Sequence, residues 1–226
     1  TVAIQTALTS LSGGGTLFFP SGTYLVSAQL NLTGSNTLLK GNGDATIKLK
    51  DGDYSALSNL YMFYGAEDID NIYFDNLIFD GNRAGVTATT GSNALIWLYR
   101  TRYSSITNCI VKNPYGGGSN VNAPFCFIDS SFDNTCNNNT IYADSLDSSY
   151  GACGGIFMQG GNSVASGNII RNMNDVVLVA NGTGSYNFVF SNNFIQSCSG
   201  GGIVAENGAN HVAISGNTIV NLNGYG

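Results

Sequence analysis

The stretch GNTIV at 216–220 decides the fold, because the chain contains it several times in slightly different forms. The related stretches are SNNFIQ at 191–196, SGNIIR at 166–171 and NNNTIY at 137–142. Their shared asparagine recurs every 24 to 29 residues. A repeat of that length is typical of supersecondary units that stack on one another. The sequence therefore predicts a solenoid.

The shared asparagine occupies one slot of the repeat, and apolar and polar residues alternate around it. Alternation of period two predicts strands, which turns rich in Gly, Asn and Ser separate. In a stacked coil each side chain lies about 4.8 Å from its copy, so amides can hydrogen-bond in series and hold a turn. We interpret this slot as scaffold and not as catalytic. It contains Asn139, Asn168, Asn193 and Asn217, with Cys109 and Leu77 in the two earlier repeats.

About three short strands in each repeat predict an all-β right-handed parallel β-helix. In residues 1–12, Ile4, Leu8 and Leu11 recur at helical spacing, which predicts a short N-terminal capping helix over the open end. The whole chain, 1–226, is predicted to be one domain. It comprises the capping helix at 1–12, initial strands at 13–58 and about six coils at 59–226. Since no cap follows the last coil, we expect a fragment of a longer chain.

Three stretches of the chain resemble a known superfamily. They are GGGTLFFPSGTYLVS at 13–27, LLKGNGDATIKL at 38–49 and FDGNR at 79–83. Together they are similar to the pectate-lyase-like β-helix superfamily of the pectate lyase 3 and phage tailspike type. The resemblance implies a polysaccharide partner in a groove along one strand face. Members include lyases, hydrolases, epimerases and non-catalytic binders, so no single activity is implied.

Composition limits the partners. The net charge is −6 and only 10% of residues are charged, which disfavours nucleic acid. No apolar run of 18 residues occurs, so no membrane span is predicted. The five cysteines lack metal-ligand spacing and are interpreted as small core residues. No cofactor or metal is predicted, and calcium stays an alternative that no acidic cluster supports. The resemblance implies an extracellular or virion-surface location and leaves a homotrimer open.

Uneven loops point to the ligand groove, because long loops carry function more often. The long loops are 81–94, 113–124 and 144–154, beside predicted strands at 61–64, 95–99, 125–129 and 156–159. If the alternation holds, an apolar stripe of Met62, Trp97, Phe127 and Phe157 points outward as a sugar-stacking platform. Two alternatives stay open. A loop or another subunit covers the stripe, or a slip of one residue turns these side chains inward.

The candidate substrate-binding residues are Trp97, Phe127, Tyr99, Arg100, Arg102 and Tyr150, since aromatic rings stack on sugars and arginines could meet an anionic sugar. The candidate catalytic residues are the loop acids Asp129, Asp144 and Asp147, although solvated loop acids are commoner. Asp129 and Glu206 align at the same strand end, about 14 Å apart. Paired glycosidase carboxylates need about 5–9.5 Å, so these two are not expected to form a pair.

Two function classes stay open. One is a carbohydrate-binding β-helix that, as an enzyme, would be a polysaccharide lyase or glycoside hydrolase. The other is a non-catalytic structural shaft, adhesin or virion component. The aromatic stripe and long loops favour the first class. The second is favoured by the low charge and by the single histidine, His211, which lacks the Gly-His-Gly context of polygalacturonase-type members.

Overall fold

A computed structural model of the chain describes residues 1–87, 89–117, 120–146 and 152–222. Within these residues the strands pair in parallel, each with strands of the neighbouring coils. The right-handed parallel β-helix is therefore confirmed. Many turn residues have positive φ, and most of these are Asn or Asp. These two residue types tolerate the left-handed conformation, which explains why the chain is rich in asparagine.

Three strand stacks run along the solenoid, and we call them sheets 1, 2 and 3. Sheet 1 contains β3 (Leu30–Leu32), β7 (Leu60–Gly65), β11 (Asn93–Tyr99), β14 (Phe125–Ile128), β17 (Ile156–Gly161), the first part of β20 (Leu178–Ser191) and β22 (Ile203–Glu206). Sheet 2 contains β1 (Gly15–Phe19), β4 (Thr37–Gly41), β8 (Ile72–Asp75), β12 (Ser105–Thr107), β15 (Thr135–Asn137), β18 (Val164–Ser166), the last part of β20 and β23 (Asn210–Ser215).

Sheet 3 closes the third side of each coil. It contains β2 (Gly22–Val26), β5 (Ala45–Leu49), β9 (Ile78–Asp80), β13 (Ile110–Lys112), β16 (Thr140–Tyr142), β19 (Ile169–Arg171), β21 (Phe194–Cys198) and β24 (Thr218–Leu222). Two short strands, β6 (Gly52–Asp53) and β10 (Val86–Thr87), pair with each other outside the solenoid stacks. The long strand β20 runs from sheet 1 into sheet 2 without a break.

The core lies where the inward faces of the three sheets meet. Phe63, Phe74 and Phe79 come from sheets 1, 2 and 3 respectively, and all three are fully buried. Their ring centroids are 5.4 to 6.0 Å apart in edge-on geometry. Such aromatic pairs contribute about 0.5–1.5 kcal/mol each beyond the burial of their area. The interior is therefore a packed core that ties the three sheets together.

A buried asparagine column supports the turn between sheets 2 and 3. The side-chain amide of Asn139 donates to Asn168, that of Asn168 to Asn193, and that of Asn193 to Asn217, at 2.9 to 3.1 Å. The backbone N–H of Cys109 donates to the Asn139 side-chain oxygen at 2.9 Å. The amides of Asn139, Asn168 and Asn193 thus bond the coils on both sides, which satisfies polar groups that water does not reach.

The N-terminal helix α1 spans Val2–Ser10 and packs at the first strand of sheet 1. Its Leu8 side chain is buried against the core. Gln5 makes two hydrogen bonds to the backbone of Asn31 in β3, donating to its oxygen at 3.0 Å and accepting from its N–H at 2.7 Å. The helix therefore covers polar groups at the edge of β3. No helix in the described part of the chain is long and apolar enough to cross a membrane.

Candidate functional site

The outer face of sheet 1 carries an apolar cluster that is separate from the interior core. It includes Tyr61, Trp97, Cys126, Phe157 and Val179. Trp97 stacks on Tyr61 with ring centroids 4.5 Å apart, and only 9% of Trp97 is exposed. Trp97 and Phe157 therefore lie on the outer face, where Tyr61 and the surrounding side chains cover most of the Trp97 ring.

Phe127 lies in the interior core, so its predicted outward orientation is wrong. Strand pairing sets Phe127 opposite Leu98 rather than opposite Trp97. Asn93 is bridged to Asn122, and Ile96 pairs with Phe125, so the two strands keep one register along their length. Trp97 therefore pairs with Cys126, one residue before Phe127. A difference of one residue turns a side chain to the opposite face of the sheet.

Two further register predictions are also wrong. Met62 is fully buried in the interior core and does not point outward. Glu206 pairs in a row with Asn181 and Gln159, whereas Asp129 lies beyond the end of β14, in the following turn, with a φ of 58°. Asp129 and Glu206 therefore do not share one position of the repeat.

Three of the candidate residues meet in a charged cluster at the end of β11 and β14. Arg100 donates to the carboxylate of Asp129 at 2.7 Å and to that of Glu67 at 3.3 Å. Its guanidinium lies 5.3 Å from the ring centroid of Tyr99. The hydrogen bond from Arg100 lowers the pKa of Asp129, and the hydrogen bond from Tyr99 also lowers it. Arg100 is therefore already engaged by two carboxylates, and Asp129 is held ionised.

The structure does not bring Asp144 to this cluster. Asp144 follows β16 at another corner of the solenoid and exchanges two hydrogen bonds with Asn113, at 2.7 and 2.8 Å. Arg102 is exposed in the turn that leads from sheet 1 into sheet 2. Asp147 and Tyr150 lie outside the described residues. The predicted group of catalytic acids is therefore not assembled by the described part of the chain.

A pocket of about 390 Å³ opens on the outer face of sheet 1, beyond the charged cluster. Apolar side chains form its floor, and amides and acids form its rim. The floor contains Val121, Ala123, Phe157, Val176 and Val179, and the rim contains Asn120, Asn122, Gln159, Asp175, Asn181 and Glu206. An apolar surface with a few convergent polar groups is the usual composition of a ligand site.

A polar row crosses this pocket along the solenoid axis. The side-chain nitrogen of Gln159 donates to Asn181 at 2.9 Å, and that of Asn181 donates to the Glu206 carboxylate at 2.6 Å. At the other end, the backbone N–H of Asp129 donates to the Gln159 side-chain oxygen at 2.7 Å. The row therefore fixes which way each amide points. Each amide nitrogen uses one of its two N–H groups within the row.

Asp175 faces the row from the segment that precedes β20. Burial raises the pKa of its carboxyl, and the negative charge of Glu206 raises it further, against the lowering effect of the hydrogen bond from the Val176 N–H at 2.8 Å. Gly200 of the next coil lies against the Asp175 backbone, where a side chain would overlap it. The pocket therefore contains one carboxyl whose pKa is raised by burial, together with the carboxylate of Glu206.

Asp175, Gln159 and Asn181 were not among the predicted site residues, and Glu206 was not expected to form a catalytic pair. The sequence contains a signal for three of these residues. Each of the apolar runs IFM, VLVA and IVA is followed directly by a polar residue, which is Gln159, Asn181 or Glu206 respectively. These polar residues are the members of the row. Assigning them to one row requires the strand register, which the repeat alone does not give. Asp175 stands before its strand, so only the packing of neighbouring coils reveals its position.

The grouping and burial of the described His, Cys, Asp and Glu side chains bear on metal binding and on thiol reactivity. Among the described residues, no group of three or more His, Cys, Asp or Glu side chains could hold a metal ion. All five cysteines are buried and free. Burial raises the pKa of Cys109 and of Cys153 to about 12. These two thiols are therefore protonated at neutral pH and fill space in the core.

The profile of the family described as rhamnogalacturonase A/epimerase, pectate lyase-like, matches residues 1–226. The chain belongs to this family. The resemblance drawn from the N-terminal stretches is thereby confirmed. No curated protein sequence matches this family member.

Solved structures share the β-helix fold of this family member. It is similar to DFA-IIIase from Arthrobacter chlorophenolicus A6 in complex with DFA-III, at 12% identity and a TM-score of 0.57, over 96% of this chain and 62% of that one. It is similar to iota-carrageenase complexed to iota-carrageenan fragments, at 15% identity and 0.52, over 88% and 52%. It is also similar to the catalytic domain of a GH87 alpha-1,3-glucanase in complex with nigerose, at 14% identity and 0.52, over 96% and 43%. At these identities the likeness shows the fold alone.

Proposed function

We propose that this protein binds a polysaccharide on the outer face of sheet 1 and cleaves it by acid–base hydrolysis. The observation that carries the proposal is the make-up of the pocket there. The Phe157 ring belongs to the apolar part of its lining, and the amides of Gln159 and Asn181 and the carboxyls of Asp175 and Glu206 belong to the polar part. These are the groups that a site for binding and cleaving a sugar chain requires.

Recognition follows from the geometry of the row. An aromatic face suits the C–H face of a sugar ring, and side-chain amides pair with sugar hydroxyls. One N–H of Gln159 and one of Asn181 remain for a ligand after the bonds within the row are made. Successive coils repeat about every 4.8 Å, close to the length of one sugar residue. A glycan lying along the solenoid axis would therefore meet matching groups on successive coils.

Cleavage would use the two carboxyls in different protonation states. Asp175, whose pKa is raised, would give its proton to the glycosidic oxygen as the bond to the anomeric carbon breaks. Glu206 would take a proton from the water that attacks the anomeric carbon, or would bond to that carbon itself before water releases the product. Glycoside hydrolases use carboxyl pairs in both ways. The anomeric form of the first product distinguishes the two courses.

The comparisons support carbohydrate as the ligand class. The description of the family names a rhamnogalacturonase and an epimerase. Two proteins of similar fold hold carbohydrates, carrageenan fragments in one and nigerose in the other. Neither the family description nor these likenesses selects among lyase, hydrolase and epimerase chemistry. That choice rests on the carboxyls of the pocket.

Turnover of a polysaccharide panel tests the proposal. The wild-type protein is expected to release new reducing ends from at least one member of the panel. Asp175→Asn and Glu206→Gln each keep the size of the side chain, and each is expected to lower the rate by about 100-fold or more. Asp44→Asn is the matched control, because it removes the same charge from an exposed acid outside the pocket. This variant is expected to keep the wild-type rate.

Three results would contradict parts of the proposal. Unsaturated products would show a lyase and not a hydrolase. Hydrolysis that survives both pocket substitutions would place the chemistry elsewhere on the chain. Glycan binding without any turnover would support the non-catalytic alternative, a structural or adhesive β-helix.

A further inference from the structure

The distribution of positive charge limits which glycan the pocket can take. The chain has only eight Lys and Arg residues, and every one of them lies in the described part. They are Lys40, Lys48, Lys50, Arg83, Arg100, Arg102, Lys112 and Arg171. None of them lines the pocket on the outer face of sheet 1. The undescribed residues contain no Lys or Arg either, so their placement cannot supply a cation.

Arg100 directly follows a strand of sheet 1, and its guanidinium is already paired with carboxylates. Arg100 lies at the end of β11, where it bonds the carboxylates of Asp129 and Glu67. Other cations belong to strands of the other sheets. Lys40 pairs with Asp75 on sheet 2 at 3.4 Å. On sheet 3 the Arg171 guanidinium lies 5.5 Å from the centroid of a phenylalanine ring.

The pocket itself carries only negative formal charge. Asp175 and Glu206 are its charged side chains, and its other polar groups are the amides of Asn120, Asn122, Gln159 and Asn181. Protein sites for carboxylate or sulfate groups normally use Arg or Lys in charge-assisted hydrogen bonds. A uronate or sulfated sugar would instead bring its charge beside Glu206 and lose hydration without a cation to compensate for it.

We infer that the pocket selects uncharged glycans over polyuronates and sulfated glycans. This inference rests on the proposed function, because it names the substrate class of the same pocket. A preference for neutral glycans also limits the type of cleavage reaction that the pocket can catalyse. Elimination by a lyase requires a carboxyl group at C5 of the sugar to acidify the C–H bond, and a neutral sugar lacks that group. Selection of neutral glycans therefore leaves hydrolysis as the mode of cleavage.

Binding assays with size-matched oligosaccharides test the inference. One set is neutral, made of glucan, xylan, mannan and galactan fragments, and the other is acidic, made of polygalacturonate, alginate and carrageenan fragments. Calorimetric titration at low salt with a chelator is expected to show a neutral fragment bound at least about tenfold more tightly than any acidic one. Raising the salt concentration is expected to narrow this gap, because salt screens the repulsion.

Substitutions of the two pocket carboxyls test whether the pocket causes the preference for neutral glycans. The double variant Asp175→Asn with Glu206→Gln is expected to bind acidic fragments more tightly than the wild type, by about tenfold. Asp44→Asn serves as the control for net charge and is expected to leave the ratio of affinities unchanged. A wild-type protein that prefers acidic fragments, with or without added calcium, would overturn this inference and leave the proposed carbohydrate site standing. Failure to bind either set would overturn the proposed function and this inference with it.

Discussion

The substitution Asn168→Ala tests the asparagine column at its centre. Asn168 is fully buried. Its side-chain oxygen accepts from the backbone N–H of Asn139 at 3.0 Å and from the side chain of Asn139 at 3.1 Å. Its side-chain nitrogen donates to the oxygen of Cys136 at 2.8 Å and to Asn193 at 2.9 Å. Alanine removes all of these bonds.

The size of the effect follows from the groups left behind. The backbone N–H of Asn139 loses its acceptor while it stays buried, which costs about 1–3 kcal/mol. The three other lost hydrogen bonds add about 0.5–1.5 kcal/mol each, so we expect Asn168→Ala to lower the free energy of unfolding by about 2.5–7.5 kcal/mol. That is a large share of the roughly 5–15 kcal/mol that stabilises a typical domain.

Urea unfolding at neutral pH, followed by circular dichroism, measures this change. Asn210→Ala is the matched control, because Asn210 lies exposed on β23. It is expected to change the free energy of unfolding by no more than about 0.5 kcal/mol. An Asn168→Ala variant as stable as the Asn210→Ala variant would refute the structural role given to the column.

Three other substitutions test the pocket, a turn and the core. The pKa of folded Asp175 is raised above its ordinary 3.8, so its contribution to stability is present at low pH and lost as the pH rises through the folded pKa. Asp175→Asn should therefore raise the Tm at neutral pH but leave it unchanged at a pH below 3.8, the ordinary pKa of the carboxyl. A Tm that is unchanged at both pH values would show that burial does not destabilise the ionised carboxylate. Gly160→Ala should cost more stability in urea than Gly184→Ala. Both glycines have positive φ, but a side chain on Gly160 would overlap the backbone of Ser131, whereas Gly184 has open space; equal costs would show that the overlap relaxes freely. Phe74→Ala should cost about 3–5 kcal/mol in the same assay, and a loss below about 1 kcal/mol would show that the core collapses to fill the space.

The repeat was sufficient to predict the fold because it reports period and alternation directly. The spacing of Asn139, Asn168, Asn193 and Asn217 gives the approximate length of a coil, and stacking coils of similar length produces parallel sheets. The helical spacing in residues 1–12 likewise predicted the N-terminal helix, observed at Val2–Ser10. These features are local in sequence, so no knowledge of packing was needed to predict them.

The site was predicted less well because it depends on register between coils. The prediction aligned Trp97 with Phe127, whereas Trp97 pairs with Cys126, and this difference of one residue was enough to put Phe127 on the wrong face. Asp175 and Glu206 come from successive coils and line one pocket only because those coils pack together. The extracellular or virion location, the homotrimer and the continuation past residue 226 stay predictions.

The structure of the Asp175→Asn variant with a bound neutral oligosaccharide tests the central claim most directly. The account predicts a sugar ring over Phe157, with hydroxyl groups within hydrogen-bond distance of Gln159 and Asn181 and a glycosidic oxygen beside position 175. A glycan bound at another place, such as the polar pocket that contains Arg83 and Asp144, would contradict the claim that the outer face of sheet 1 is the carbohydrate site.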